Sequence, residues 1–99
     1  MNVIEGNIDT REVFLDGKLI NPKKSRRVYN HSPDGFMWGY GGSGPAQLAL
    51  AVLLEVSDVK TALAFYQDFK WEVISKIPME TFRQEIDIKQ WIKNKREAL

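Results

Sequence analysis

The spacing of apolar and polar residues changes character twice along the chain. In the first third the apolar runs are short, and Arg11 to Leu15 and Lys18 to Asn21 flank Asp16-Gly17. A two-residue Asp-Gly link favours a type I′ turn, which needs positive φ at both central positions, so these residues predict a β-hairpin. A second hairpin is predicted from Ser25 to Asn30 and Phe36 to Tyr40, joined through Ser32-Pro33-Asp34-Gly35, where proline presets one turn dihedral and glycine closes the turn.

Beyond the glycines the rhythm becomes helical. Gly44 is placed as an N-cap and Pro45 as the first helical residue, where its missing N–H is no loss, with Gln47 reaching back to cap. Almost every residue from Ala46 to Val56 is apolar, and a helix apolar on all sides belongs at the centre of a core. Ser57-Asp58 offers the next N-cap. Val59, Ala62, Leu63, Tyr66, Phe69, Val73 and Ile77 then keep spacings of three and four up to Pro78, which predicts an amphipathic helix. Ile88, Trp91 and Ile92 predict a third helix from about Glu85, with Lys93, Lys95 and Arg96 near its negative C-terminal end. Sheet first and helices afterwards gives an α+β class: about four N-terminal antiparallel strands, then about three helices covering one sheet face. Residues 1–99 form a single domain on this reading, with residues 1–10 as a flexible lead-in.

The junction between sheet and core helix carries the most suggestive chemistry. Residues 38–47 read Trp-Gly-Tyr-Gly-Gly-Ser-Gly-Pro-Ala-Gln, and Gly39, Gly41 and Gly44 satisfy G-x-G-x-x-G. A dinucleotide fold also needs a second parallel strand ending in an acidic residue, and Asp58 opens a helix instead. Pro45 and Ala46 stand where a Walker A loop needs Lys and Ser/Thr. A G-x-S-x-G elbow fails as well, because proline follows Gly44 and the chain has a single histidine. What survives is an N-terminal helix end whose backbone N–H groups suit a phosphate or carboxylate, weighed against glycines that simply turn the chain. The residues alone favour the turn slightly.

His31, beside the Ser-Pro-Asp-Gly turn, is read either as an acid/base or anion ligand near the glycine loop or as a side chain bonded to the turn backbone. Alone it cannot hold a metal ion. Gln67 and Lys70, three apart on a helix, are placed to face the loop, whereas Asp68 and Glu72 are read as a solvated face. Lys23, Lys24, Arg26 and Arg27 form the dense basic cluster and would touch phosphates in a nucleic-acid-associated protein. In a strand, however, alternate side chains point to opposite faces, so the cluster is split and reads as a protective sheet edge. Trp38, Trp71 and Trp91 are weighed as base-stacking residues against anchors of the core or an interface, and the core is the default reading.

Composition narrows the setting. A 99-residue chain has room for one modest core, and no cysteine means no disulfide, thiolate metal site or cysteine nucleophile, as expected of a reducing, cytoplasmic compartment. No signal peptide is read at the start, and Gly35 to Leu54 is too interrupted by glycine and proline to span a bilayer. Fourteen basic against thirteen acidic residues give a net charge of +1, so no global field selects a partner. The charge is nevertheless uneven: no Lys or Arg falls between His31 and Val59.

Residues 30–51, Asn-His-Ser-Pro-Asp-Gly-Phe-Met-Trp-Gly-Tyr-Gly-Gly-Ser-Gly-Pro-Ala-Gln-Leu-Ala-Leu-Ala, resemble the signature of a family of small uncharacterised proteins found in bacteria, phages and plasmids. The likeness continues through Tyr66-Gln67-Asp68-Phe69-Lys70 and more weakly to Ile88–Ile92, and departs at Met37, where the family pattern has an acidic residue. It retains Asn30, His31, Ser43 and Gln47 as polar members, which packing explains less well than it explains the glycines, and this moves the balance towards a site. The expectation is a non-enzymatic binding module, without a cofactor, for a small anion, nucleotide or protein partner. Its predicted ligand residues are His31, Trp38, Tyr40, Gly41, Gly42, Ser43, Gly44, Gln47 and Lys70. Nucleic-acid contact through Lys23–Arg27 is the alternative, and a third reading has a purely structural loop and a protein partner, a second copy included.

Overall fold

In the computed structural model, which describes residues 1–99, the chain opens with a strand, β1 (Asn2–Gly6), where a flexible lead-in was expected. β1 pairs antiparallel with β2 (Val13–Leu15), setting Ile4 against Leu15 and Gly6 against Val13. The Asp16-Gly17 link then turns as its residue types require, with φ of 51° and 81°, into β3 (Lys18–Leu19). Asp16 also ties the turn to β1: its carboxylate accepts from Asn2 Nδ2 and from the Val3 N–H, each at 2.8 Å.

The second predicted hairpin does not form. Residues 22–28 are a helix, α1 (Pro22–Val28), because Asn21 and Pro22 are start signals: the Asn21 side chain accepts from the Lys23 N–H at 2.9 Å and Pro22 fills the first turn. The Ser-Pro-Asp-Gly turn does form, with Gly35 donating to the Ser32 carbonyl, but it links α1 to an extended segment that pairs with no strand. That segment is held by side chains instead, since Phe36 and Trp38 are buried in the core.

Four helices surround the core, one more than expected. α2 (Ser43–Val56) is central, with every residue from Gly44 to Leu54 buried. Its N-cap is Gly42, two residues before the expected position, and it has no side-chain cap, so Gln47 does not reach back to the helix start. α3 (Val59–Glu72) packs along α2 and begins as predicted, with Asp58 accepting from the Thr61 N–H at 2.7 Å. It stops at Glu72 rather than near Pro78. A 3₁₀ turn over Ile74–Lys76 re-aims the chain so that Ile74 and Ile77 stay buried.

The next segment, β4 (Phe82–Ile86), returns to the sheet and pairs with β1 along its whole length, from Asn2 against Ile86 to Gly6 against Phe82. The sheet is therefore fully antiparallel in the order β3-β2-β1-β4, and its fourth strand comes from the C-terminal third, not from the N-terminal region. α4 (Ile88–Glu97) follows, buries Ile88 and Ile92, and starts three residues later than expected because β4 occupies its predicted first turn. One sheet face, through Ile4, Val13 and Leu15, joins a single 22-residue core cluster with the helices. No helix is long and apolar enough to cross a membrane.

Two local clamps predict an acid response. The Asn2 and Val3 hydrogen bonds hold the Asp16 carboxyl below its ordinary range, and the Thr61 hydrogen bonds do the same for Asp58. A lowered folded-state pKa contributes stability above the unfolded value and loses it as pH falls through the folded value. Melting temperature should therefore fall as pH drops below the ordinary carboxylate range. The double variant Asp16→Asn, Asp58→Asn should show a flatter acid limb than the parent when melting curves are compared across pH.

Candidate functional site

Gln47 was expected at a ligand surface, but it is fully buried and all of its hydrogen-bonding capacity is used within the protein. Its Oε1 accepts from the N–H groups of His31 at 2.8 Å and Ser32 at 3.0 Å, and its Nε2 donates to Ser25 Oγ at 2.8 Å and the Tyr29 carbonyl at 3.1 Å. A side-chain amide has one two-lone-pair acceptor and two donors, so this is full satisfaction. Gln47 is the peg that holds the α1–α2 connection onto the core helix. Trp38 is also withdrawn from any ligand: it is completely buried, its Nε1 donates to the Glu80 carbonyl at 2.8 Å, and its ring meets Phe82 edge-on at 4.9 Å.

Fixing the 29–32 segment in this way sets His31 over α3. Its Nε2 lies 2.6 Å from Tyr66 Oη, and its ring stacks on Tyr29 with centroids 4.2 Å apart. The expected bond from His31 to the turn backbone is absent; the imidazole goes to Tyr66 instead. Burial, and secondarily the Lys70 ammonium, lower the His31 pKa from its ordinary value. Tyr66 and Lys70 are four apart on α3 and so share one face of that helix.

Lys70 is the unusual member. It is only 8% exposed, yet the ion pairs of the protein belong to Lys18, Lys24, Arg83 and Lys95, and Lys70 enters none of them. Its contact is with the Trp71 indole, whose centroid is 4.3 Å from Nζ. The π-face and the negative end of α3 favour that charge, but neither is a carboxylate, and the ammonium itself keeps contact with solvent. Gln67, expected beside Lys70, is exposed.

Trp71 was expected in the core and is 57% exposed. Its benzo edge lies against Gly41, where an added Cβ would stand 2.1 Å from the ring, and Tyr40 covers Gly42 in the same manner at 2.3 Å. Gly39 combines a φ of 88° with close contact to Met79, and Gly44 is buried against Met37. Every glycine of the loop thus has a steric reason to be there, and the glycine content alone says nothing of a ligand. The backbone says more. The N–H groups from Tyr40 through Gly44 donate to no acceptor in the protein, and they precede a helix with no side-chain cap and with Ser43 exposed at its first position. A run of free donors at a helix start carries partial positive charge.

The structure therefore brings together His31, Tyr40, Gly41, Gly42, Ser43 and Lys70, adds Tyr29, Tyr66 and Trp71, and excludes Trp38 and Gln47. Sequence reasoning took Trp71 as core from its residue type, although the helical spacing was a signal for its place: the buried face of α3 runs through Ala62, Phe65, Tyr66 and Phe69, and Trp71 falls on the opposite face with exposed Gln67 and Asp68. None of the four clefts of the molecule is lined by these residues. One cleft of about 330 Å³ lies between the β2–β3 hairpin and the Asp34-Gly35 turn, and another of about 360 Å³ lies beside Asp58, Phe65 and Arg96, so the site is an open surface.

The basic cluster is not split across a strand as expected, because α1 is a helix and brings Lys23, Arg26 and Arg27 towards one face. Two of the four are engaged internally: Lys24 pairs with Glu55 at 3.5 Å, and Arg26 donates to the Pro33 carbonyl at 3.0 Å. Asp68 and Glu72 pair with Lys95 of α4.

Among protein families, a model described as "Family of unknown function (DUF6166)" matches residues 4–94. No curated protein and no solved structure matches the chain.

Proposed function

The chain belongs to the DUF6166 family, and from the geometry above we propose that it is a non-enzymatic binding module that captures an anionic group at the loop preceding α2. One observation carries this reading: the Lys70 side chain is largely covered and its ammonium, which keeps contact with solvent, has no carboxylate or hydrogen-bond partner, while the indole it touches also borders the free N–H groups of the glycine loop. An ammonium without a partner is free to make charge-assisted hydrogen bonds, and an anion between Lys70, His31 and the loop would accept them. The same N–H groups would supply directed donors with no charged side chain of the loop itself, consistent with the absence of Lys and Arg from His31 to Val59. His31 and Tyr66 position each other through their hydrogen bond, which suits a preorganised binding surface.

Inorganic phosphate titrated into the protein should raise its melting temperature, and Lys70→Met should abolish the rise. Methionine fills similar volume without the charge, so that variant should melt no lower than the parent in the absence of phosphate. Absence of any shift with phosphate, sulfate or acetate in the parent protein would overturn the reading.

A further inference from the structure

The exposed aromatic rings around the anion position are not explained by packing. Trp71, Tyr29 and Tyr40 are 57%, 55% and 44% exposed, and each is attached to the same small assembly: Trp71 to Lys70 and Gly41, Tyr29 to His31, Tyr40 to Gly42. A simple inorganic anion needs the cation and the N–H groups but has no use for open indole and phenol faces. A ligand that joins a phosphate to a flat aromatic system uses both, because bases stack on Trp and Tyr whatever their sequence and need only an open ring, not a deep cavity. The open surface, without a cleft, fits this better than it fits an enclosed small-molecule pocket.

We infer that the anion is the phosphate of a nucleotide, held by Lys70, His31 and the N–H groups of residues 40–44, with the base stacked on Trp71. This rests on the anion-binding reading and adds the ligand class to it. Two sources share the chemistry, a free nucleotide and the 5′-phosphorylated end of a single strand, and both present a phosphate one sugar away from a base. Trp71 is assigned the stacking role because its indole touches both the ammonium and the glycine loop, which places phosphate and base in adjacent positions.

The test follows Trp71 fluorescence and calorimetry on the intact chain with four probes: inorganic phosphate, adenosine, adenosine 5′-monophosphate and a 5′-phosphorylated dinucleotide. The monophosphate should bind about tenfold or more tightly than phosphate, the gain from one stacked base, and should quench indole emission. Trp71→Leu should remove that tenfold gain and leave phosphate binding in place, whereas Lys70→Met should remove both. Dinucleotide binding tighter than the monophosphate assigns the ligand to a strand end, and equal binding assigns it to a free nucleotide. If phosphate binds and the monophosphate binds no better, the nucleotide assignment falls while the anion site stands. If a Trp71→Leu protein that melts like the parent keeps the full nucleotide affinity, stacking on Trp71 is wrong. If none of the probes binds, both readings fall together.

Discussion

Replacing Gln47 by alanine should destabilise the protein by about 3–4 kcal/mol, since buried groups stripped of their partners cost about 1–3 kcal/mol each. The residue is fully buried, and its truncation strands the His31 and Ser32 N–H groups and the Tyr29 carbonyl at once. Ser25 retains its own bond to the Pro22 carbonyl at 2.8 Å, so it contributes less to the loss. A chain of this size shifts by about 4–8 °C per kcal/mol, so the melting temperature should fall by more than about 12 °C. Glutamate is the informative comparison. It preserves the acceptor for both N–H groups but loses the donors to Ser25 and Tyr29 and buries a charge, so Gln47→Glu should also be strongly destabilised. A variant of either kind that melts within a few degrees of the parent would show that the 29–32 segment is not held from the core helix.

Trp38→Ala should cost about 4 kcal/mol, within the range for truncating a large aromatic in a well-packed core. Three losses combine: the cavity of a completely buried indole, the Nε1 bond to the Glu80 carbonyl, and the edge-on contact with Phe82. The contact with Phe82 matters beyond its own energy, because Phe82 begins β4 and the Trp38 ring also lies against Gly6 where β1 pairs with it. Trp38 thus clamps the junction between a long loop and the paired strands β1 and β4. Trp38→Phe keeps an aromatic ring but gives up the hydrogen bond and some volume, and should cost about 1–2 kcal/mol. Urea denaturation of both variants, with slopes compared to the parent, separates a loss of stability from a change in the unfolded state. With total stabilities of small domains at about 5–15 kcal/mol, the alanine variant leaves little in reserve.

The two residues make a common point about the loop. Both were read from sequence as members of a ligand site, because polar and aromatic residues beside a run of glycines resemble binding chemistry. In the structure both hold the loop in place, and the residues of the proposed ligand surface are those they position: His31 by way of Gln47, and the glycines by way of the segment that Trp38 anchors. Ser43 is exposed and Lys70 largely covered, and nothing in the helical spacing revealed that the Lys70 ammonium has no ion-pair or hydrogen-bond partner.

What the sequence determined by itself is local. Asp16-Gly17 dictates a turn with positive φ, the apolar run from Ala46 to Val56 dictates a buried central helix, and Asp58 dictates where α3 begins, because each depends on dihedral preferences and capping within a few residues. Only the tertiary structure decided the rest. β1 and β4 are strands because each satisfies the other's backbone across a separation of about 80 residues in the chain, a pairing without a signature in Phe82–Ile86, whose side chains are mostly exposed and do not alternate. Ser25 to Val28 is helical because Asn21 and Pro22 start a helix and Gln47 receives Ser25 and Tyr29 on the core helix. Trp71 is outside because it lies on the face of α3 opposite Phe65 and Phe69, with exposed Gln67 and Asp68. The candidate site exists only where these long-range choices meet, since a histidine from one connection, a lysine from one helix and the free N–H groups of another become neighbours through packing alone.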